Sequence, residues 1–182
     1  MRRMNRGRTP GPWRAGARPV LALSLLLLAP AIASGKLQVG DSPPDKLGRT
    51  STGEHVRLAD YRGKIVIISF WASWCGPCRR ELPVLASIQE KATRDKVVVL
   101  AVNWRQSADQ FRSIKQILKK TELTLISDES GSAGRAYDVD AIPHMIVVGR
   151  DGKIASIHVG YSEAEIPQFV DEINDLWSQT EE

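Results

Sequence analysis

The sequence predicts an α/β domain whose mixed β-sheet is covered by helices on both faces. Two continuous β-branched runs, residues 65–70 (IVIISF) and 97–103 (VVVLAVN), are typical of strands buried on both sides. Apolar residues at helical spacing over residues 77–92 indicate a helix that connects two parallel strands. The tetrapeptide Gly149-Arg150-Asp151-Gly152 separates two further apolar runs and indicates a tight antiparallel hairpin.

The composition fits one globular domain: 182 residues, of which 42% are apolar and 25% are charged. The net charge of +4 comes from the N-terminus, because residues 1–33 contain six arginines and no acidic residue. Without those six arginines the 25 basic residues fall to 19, against 21 acidic residues. The rest of the chain therefore shows no basic face, and we expect no nucleic-acid partner.

Residues 1–33 are typical of an export signal. The arginines precede an apolar run at residues 20–29, and Ala31-Ile32-Ala33 suits cleavage before Ser34. An uncleaved anchor is the alternative, although an apolar segment of about 14 residues is short for a membrane span of roughly 20. We expect a signal at residues 1–33 and a domain at 34–182, located in the periplasm or on another exported side of the cytoplasmic membrane.

The other elements of the first half follow in chain order. Residues 52–60 are expected to form a short hairpin or strand. Pro83 predicts a kink in the helix of residues 77–92, because proline removes a backbone donor. A Ser-x-x-Gln capping box at Ser107 begins a second helix, with one face formed by Phe111, Ile114, Ile117 and Leu118.

The second half predicts shorter elements before a final helix. Ser162-Glu163-Ala164-Glu165 is expected to cap that helix. Its core-facing residues are expected to be Ile166, Phe169, Val170, Ile173 and Leu176. The elements before it are a strand at 123–126, a loop at 127–134, a helical turn at 135–139, and the hairpin strands at 144–148 and 153–159.

Cys75 and Cys78 are the two cysteines of the chain. A disulfide between them would persist in an oxidising compartment, but a loop of four residues adds little stability. Cys75 follows a buried strand and precedes Gly76-Pro77, so it should lie at a helix N-terminus, where the dipole stabilises a thiolate. We expect Cys75 to be the nucleophile and Cys78 the resolving thiol of disulfide exchange.

Glu81 lies three residues beyond Cys78, so the two side chains share a helix face. Its carboxylate could exchange a proton with the resolving thiol, and the alternative is a solvated acid in the first turn. Trp71 and Trp74 flank the motif. One should pack in the core while the other shields the cysteines or contacts a partner, and the sequence does not assign the two roles.

The segment FWASWCGPCRRELP, from Phe70 to Pro83, resembles the active-site segment of TlpA/ResA-like exported thiol-disulfide oxidoreductases of the thioredoxin superfamily. The resemblance extends over residues 38–177 and includes the pair Ile142-Pro143. It implies a thioredoxin-like fold with an N-terminal β-hairpin extension and a segment inserted after the second core strand. It also implies a cis peptide bond before Pro143, opposite the cysteines, and a redox role for Glu81.

The resemblance implies a protein disulfide reductase, because Gly-Pro separates the cysteines in reducing thioredoxins. It implies no cofactor, a membrane electron donor of the thiol-reducing type, and disulfide-bearing clients such as apocytochrome c or copper-site proteins, hence a place in cytochrome c maturation. We expect a monomer. This chain departs from the family pattern at two positions. Ser69 stands where relatives usually have an acidic or amide residue, and His144 stands where they usually have threonine. The expected substrate-binding residues are Trp74, Gly76, Pro77, Ile142, Pro143 and His144.

Two other functions are alternatives to disulfide exchange. Cys75, Cys78 and His144 could bind copper or zinc, although a structural zinc site requires four ligands. A peroxiredoxin would have proline and threonine where this chain has Ile68 and Ala72. The other histidines, His55 and His158, are expected on the surface or on strand faces without a chemical role.

Overall fold

Seven strands form one mixed sheet in the computed structural model, which describes residues 36–118 and 120–179. The predicted signal at residues 1–33 lies outside the described residues. The strands are β1 (Lys46–Thr50), β2 (His55–Arg57), β3 (Ile65–Trp71), β4 (Val97–Trp104), β5 (Thr124–Asp128), β6 (His144–Val148) and β7 (Ile154–Val159). The helices are α1 (Gly76–Ala92), α2 (Ala108–Leu118), α3 (Ser132–Ala136) and α4 (Ile166–Ser178).

The strand order across the sheet is β2-β1-β5-β4-β3-β6-β7. Strands β3, β4 and β5 are parallel, whereas β6 is antiparallel to β3 and β7 is antiparallel to β6. Strand β4 is the middle strand of the seven, and α1 connects it to its neighbour β3. This arrangement confirms the predicted mixed sheet.

Alternate residues of β3 face two separate parts of the core. Ile65, Ile67 and Trp71 pack with residues of α1, α2 and α4, whereas Val66 and Phe70 belong to the cluster that includes residues of α3. Both faces of the sheet are therefore covered, as the continuous apolar runs predicted. None of the helices in the described ranges has the length and apolar character needed to cross a membrane.

The N-terminal hairpin extends the sheet beyond β5. Strand β1 pairs with β2 and also with β5, antiparallel in both cases. Gly48 lies in β1 with φ +128°, and a Cβ at this position would be 2.4 Å from the carbonyl oxygen of Ser127. Glycine is required there because the backbones of β1 and β5 approach so closely. The expected hairpin extension is present, and α2 and β5 lie between β4 and α3, where the inserted segment was expected.

Helix α2 begins as predicted from its capping box. The Oε1 atom of Gln110 accepts the Ser107 N–H at 3.0 Å, and the Ser107 hydroxyl oxygen accepts the Gln110 N–H at 3.3 Å. Helix α3 begins three residues before the predicted turn at 135–139. The loop between β5 and α3 is therefore shorter than the predicted loop at 127–134. The carboxylate of Asp128 accepts the N–H groups of Ala133 and Gly134 and stabilises this earlier start.

The start of α4 also differs from the prediction. A 3-10 turn at Glu163–Glu165 precedes the helix, and the Ser162 side chain makes no capping hydrogen bond. Val170 is 36% exposed, so its predicted place in the core is wrong. Phe169 and Ile173 are the buried residues of α4, and Val170 is turned about 100° away from Phe169 around the helix.

Candidate active site

The two cysteines form a disulfide at the N-terminus of α1. Cys75 is the N-cap residue, and its sulfur accepts the backbone N–H of Cys78 at 3.2 Å. Cys75 is 5% exposed and Cys78 is fully buried, so Cys75 is the sulfur nearer to solvent. Backbone N–H groups and the helix dipole at this position stabilise a thiolate on Cys75 once the disulfide is reduced.

The Ile142–Pro143 turn faces Cys75 from the neighbouring strand end. The peptide bond between these residues is cis, as the resemblance implies. The carbonyl oxygen of Ile142 is 3.8 Å from the sulfur of Cys75, and the carbonyl oxygen of Pro143 accepts the N–H of Gly160 at 2.9 Å. The turn is thus anchored to the end of β7 and lies directly against the disulfide.

The structure assigns the two tryptophans that the sequence left open. Trp71 is 2% exposed and packs in the core beneath α1, whereas Trp74 is 66% exposed beside Cys75. A large apolar side chain this exposed next to a reactive sulfur is available to a bound partner. Trp74 is therefore the candidate for partner contact, and Trp71 is a core residue.

Glu81 is buried beneath the disulfide end of α1. Its side chain is 3% exposed, and its Oε2 atom accepts a 2.7 Å hydrogen bond from the Ser69 hydroxyl. Burial raises the pKa of Glu81 to about 7, against the opposing effects of the Ser69 hydrogen bond and the His158 charge. Glu81 is thus not a solvated helix acid, and it exchanges protons near neutral pH.

A cleft of about 280 Å³ opens between α1, β7 and α4, and both polar and apolar side chains line it. Glu81, His158 and Glu172 line it. The Nε2 atom of His158 is 3.1 Å from Oε2 of Glu172, and the Ser156 hydroxyl donates to the same carboxylate. The sequence predicted no chemical role for His158. A two-residue spacing places Ser156 and His158 on the same face of a strand, and this spacing could have indicated that the two side chains act together.

A second polar group, which the sequence analysis missed, holds the loop before Cys75. The Oε1 atom of Gln106 accepts the Ser73 N–H at 2.7 Å and an amide N–H of Asn103 at 2.8 Å. The Gln106 amide also donates to the Ser73 hydroxyl at 2.8 Å. Gln106 is 2% exposed, so this loop is fixed to the end of β4 from inside the protein.

His144 lies on the face of the sheet opposite to its neighbour Met145, which packs with the cysteines. Its ring meets the Phe70 ring edge-on, with centroids 6.4 Å apart. Burial lowers the pKa of His144, although Asp140 and Asp138 oppose this shift. No group of three or more histidine, cysteine or acidic side chains in the described part of the chain could hold a metal, so the copper or zinc alternative has no support.

The sequence of this chain is similar to those of known proteins. The family model described as Redoxin matches residues 38–173. The thioredoxin-like protein YneN of Bacillus subtilis is 33% identical over 138 residues, which cover 74% of this chain and 80% of YneN. The thiol-disulfide oxidoreductase ResA of Geobacillus thermodenitrificans is 30% identical over 138 residues, covering 74% of this chain and 78% of ResA.

A solved structure is similar over most of the described domain. It is the crystal structure of a DsbE-type thiol:disulfide interchange protein from Chlorobium tepidum. The identity is 32% and the TM-score 0.70, with 79% of this chain and all of that chain covered. The expected thioredoxin-like fold is thereby confirmed. Together with the disulfide at the start of α1, these similarities show that the chain belongs to the redoxin family and is a thiol-disulfide oxidoreductase.

Proposed function

We propose that this protein is an exported reductant of protein disulfides that acts by dithiol-disulfide exchange through Cys75 and Cys78. The observation that carries the proposal is the position of Cys75 as the N-cap of α1, where its sulfur accepts the Cys78 N–H. This position favours the thiolate, and the thiolate is the form that attacks a disulfide. The Gly76-Pro77 pair between the cysteines supports the reducing direction.

The exchange has two steps. The Cys75 thiolate attacks one sulfur of a client disulfide, so that a mixed disulfide forms and the other client sulfur leaves as a thiolate. Cys78 then gives up its proton and attacks the Cys75 sulfur. The Cys75–Cys78 bond forms, the bond from Cys75 to the client breaks, and the client leaves as a dithiol with two more electrons.

Glu81 is the proposed acceptor of the Cys78 proton. It lies one helical turn after Cys78, it is buried, and its pKa is about 7. A base whose pKa is close to ambient pH both accepts and returns a proton efficiently. Ser69 takes the place of the acidic or amide residue of relatives and supports Glu81 through its hydroxyl.

The client is proposed to lie across the disulfide and the Ile142–Pro143 turn. Trp74 offers an exposed apolar side chain there, and Gly76 and Pro77 form the first turn of α1 beside it. The side chain of His144 faces Phe70 on the other side of the sheet, away from the cysteines. Client contact is therefore assigned to Trp74, to the Gly76-Pro77 pair and to the backbone of the turn.

The predicted N-terminal signal and the family resemblance support a proposed location and proposed partners. We place the protein in the periplasm or on another exported side, released by cleavage before Ser34 or held by an uncleaved anchor. A membrane electron donor of the thiol-reducing type would return the pair to the dithiol state. Apocytochrome c and copper-site proteins are the proposed clients, and the protein is proposed to act as a monomer.

The reduction potential of the purified protein tests the direction of the reaction. Equilibration in graded dithiothreitol buffers, followed by thiol counting, should give a value near or below about −230 mV. A value near about −120 mV would show an oxidant and overturn the reducing direction. Cys75→Ser should abolish insulin disulfide reduction, and retained activity would contradict the assignment of the nucleophile.

A further inference from the structure

A row of side chains crosses the sheet beneath α1 and leads away from the cysteines. Ser69 of β3 lies opposite Met145 of β6, and Met145 lies opposite His158 of β7. Paired residues on neighbouring strands point to the same face, so all three face the helices α1 and α4. Ser69 binds Glu81 of α1, and the His158 ring meets the Phe169 ring of α4 at a centroid distance of 5.5 Å.

The cleft at the end of this row connects Glu81 with solvent. Its volume of about 280 Å³ is enough for several water molecules, each of which needs about 30 Å³ and polar partners. Glu81 is 3% exposed, whereas the side chains of His158 and Glu172 are 36% and 26% exposed. The titratable groups that line the cleft are Glu81, His158, Tyr161, Glu165 and Glu172.

Hydrogen bonds fix the imidazole of His158 at the outer part of this cleft. Its Nε2 atom lies 3.1 Å from Oε2 of Glu172 and 3.0 Å from the hydroxyl oxygen of Ser156. Because the Ser156 hydroxyl donates to Glu172, its oxygen is free to accept, and Nε2–H is the donor in both contacts. The Nδ1 atom is therefore the one that gains and loses a proton.

The charges around His158 favour its protonated form. The hydrogen bond to Glu172 raises the pKa of His158 despite its partial burial, and the charges of Glu172, Glu165 and Glu81 act in the same direction. Partial burial alone would raise the pKa of Glu172, but hydrogen bonds from His158 and Ser156 and the His158 charge outweigh it and lower that pKa. Glu172 thus stays ionised and stabilises an imidazolium.

We propose that the pair His158 and Glu172 carries the resolving proton from Glu81 to solvent. This inference rests on the proposed function. In the resolving step the Cys78 proton moves to the Glu81 carboxylate while the Cys75–Cys78 bond forms and the client thiolate leaves with the electron pair of the broken bond. Glu81 then passes the proton through cleft water to Nδ1 of His158, which releases it to bulk solvent. Reduction of the disulfide reverses this path.

Ellman's reagent separates the two steps in one experiment on the reduced full chain. Attack by Cys75 releases one thionitrobenzoate, and resolution by Cys78 releases the second, so stopped-flow absorbance resolves two phases. We expect His158→Ala to slow the second phase about a hundredfold at neutral pH, the lower end of the usual contribution of a positioned proton-transfer group, and to leave the first phase unchanged. Added imidazole at millimolar concentration should restore the second phase.

His158→Gln is the companion variant, because the glutamine amide can still donate a hydrogen bond to Glu172 but cannot take up or release a proton. It should show the same slowing without rescue by imidazole, since the glutamine side chain fills the site. His55→Ala is the matched control: this histidine is exposed on β2 at the far edge of the sheet, and its removal should change neither phase.

The outcomes separate this inference from the function on which it rests. A second phase that is unchanged in both His158 variants would overturn the proton route, and so would slowing that imidazole does not restore in His158→Ala. If only Glu81→Gln slows the second phase, the proton leaves Glu81 directly and the route is wrong, while the proposed function stands. If the wild-type protein shows no second phase, Cys78 does not resolve, and the proposed function itself fails.

Discussion

The hydroxyl of Ser69 donates a 2.7 Å hydrogen bond to Oε2 of Glu81 in the core between β3 and α1. Ser69 is fully buried and Glu81 is 3% exposed. One neutral donor is weak compensation for a carboxylate removed from water, so burial dominates and the pKa of Glu81 is about 7. The contact between Ser69 and Glu81 therefore affects the free energy of unfolding as well as the proposed chemistry.

Glu81→Gln should stabilise the oxidised protein in alkaline solution. The pKa of Glu81 is about 7 in the folded protein, against the ordinary value of 4.5 that applies in the unfolded chain, so the native state binds more protons between these two pH values. Stability therefore falls as pH rises through this window. At about pH 8 the variant should exceed the wild type by up to about 3 kcal/mol, since one pKa unit corresponds to about 1.4 kcal/mol. Urea unfolding over this pH range measures the difference.

Ser69→Ala is the counterpart of that experiment. It removes the hydrogen bond that lowers the pKa of Glu81, so the folded-state pKa should rise further. The free energy of unfolding of Ser69→Ala should then keep falling to a higher pH than that of the wild type, because the window in which the native state holds the extra proton is wider. Identical pH dependence in Glu81→Gln and the wild type would show that Glu81 is not the group that titrates.

Gln106→Leu should loosen the loop that holds Cys75. The substitution leaves the Ser73 N–H and the Asn103 amide without their buried acceptor, which costs about 1–3 kcal/mol of stability. We also expect a changed rate of iodoacetamide reaction at Cys75 in the reduced protein. Gln110→Leu is the control: it breaks an exposed capping box, and it should lower stability by about 1 kcal/mol without changing that rate.

Gly48→Ala should destabilise the fold without changing the redox chemistry. The new Cβ would lie 2.4 Å from the Ser127 carbonyl oxygen at a φ of +128°, so a cost of about 1–3 kcal/mol is expected. Gly53→Ala, at φ +87° with nothing within 4 Å, should cost only about 1 kcal/mol. Thermal unfolding measures both. A changed reduction potential in Gly48→Ala would contradict the separation of the hairpin from the cysteines.

Trp74→Ala and Trp71→Ala should affect different properties. Trp74 is 66% exposed, so its removal should leave stability within about 0.5 kcal/mol and lower kcat/KM for insulin while reduction of a small disulfide is unchanged. Trp71 is 2% exposed, and its truncation should cost about 3–5 kcal/mol. Equal insulin reduction by Trp74→Ala and the wild type would remove Trp74 from the client surface.

The central strands could be predicted because burial on both faces leaves a continuous apolar run. Strand β3 was predicted at residues 65–70 and is found at Ile65–Trp71, and β6 has the predicted bounds. Helix α3 was misplaced because its N-terminal N–H groups are bound by Asp128 from the end of a strand. Val170 was misplaced because an apolar side chain alone does not reveal which face of an exposed helix it occupies.

The cysteine pair was evident from local sequence, because Cys75, Gly76-Pro77 and Cys78 combine a strand end with a helix start. The contacts around the cysteine pair were not evident from the sequence, because they depend on the register between strands that are distant in the chain. Ser69 and His158 are 89 positions apart, and they share one row only because Met145 pairs with both. The orientation of His144 away from the cysteines depends on the same register between β3 and β6.

The hairpin of β1 and β2 also bears on aggregation. Without it, the five residues of β5 would end the sheet and present unpaired backbone groups to other molecules. With it, the outer strand at that side is β2, which has three residues and exposes His55 and Arg57 around one buried valine. A strand so short, with a cationic side chain, is a poor template for a second chain. The extension thus makes the sheet margin resistant to edge-to-edge association.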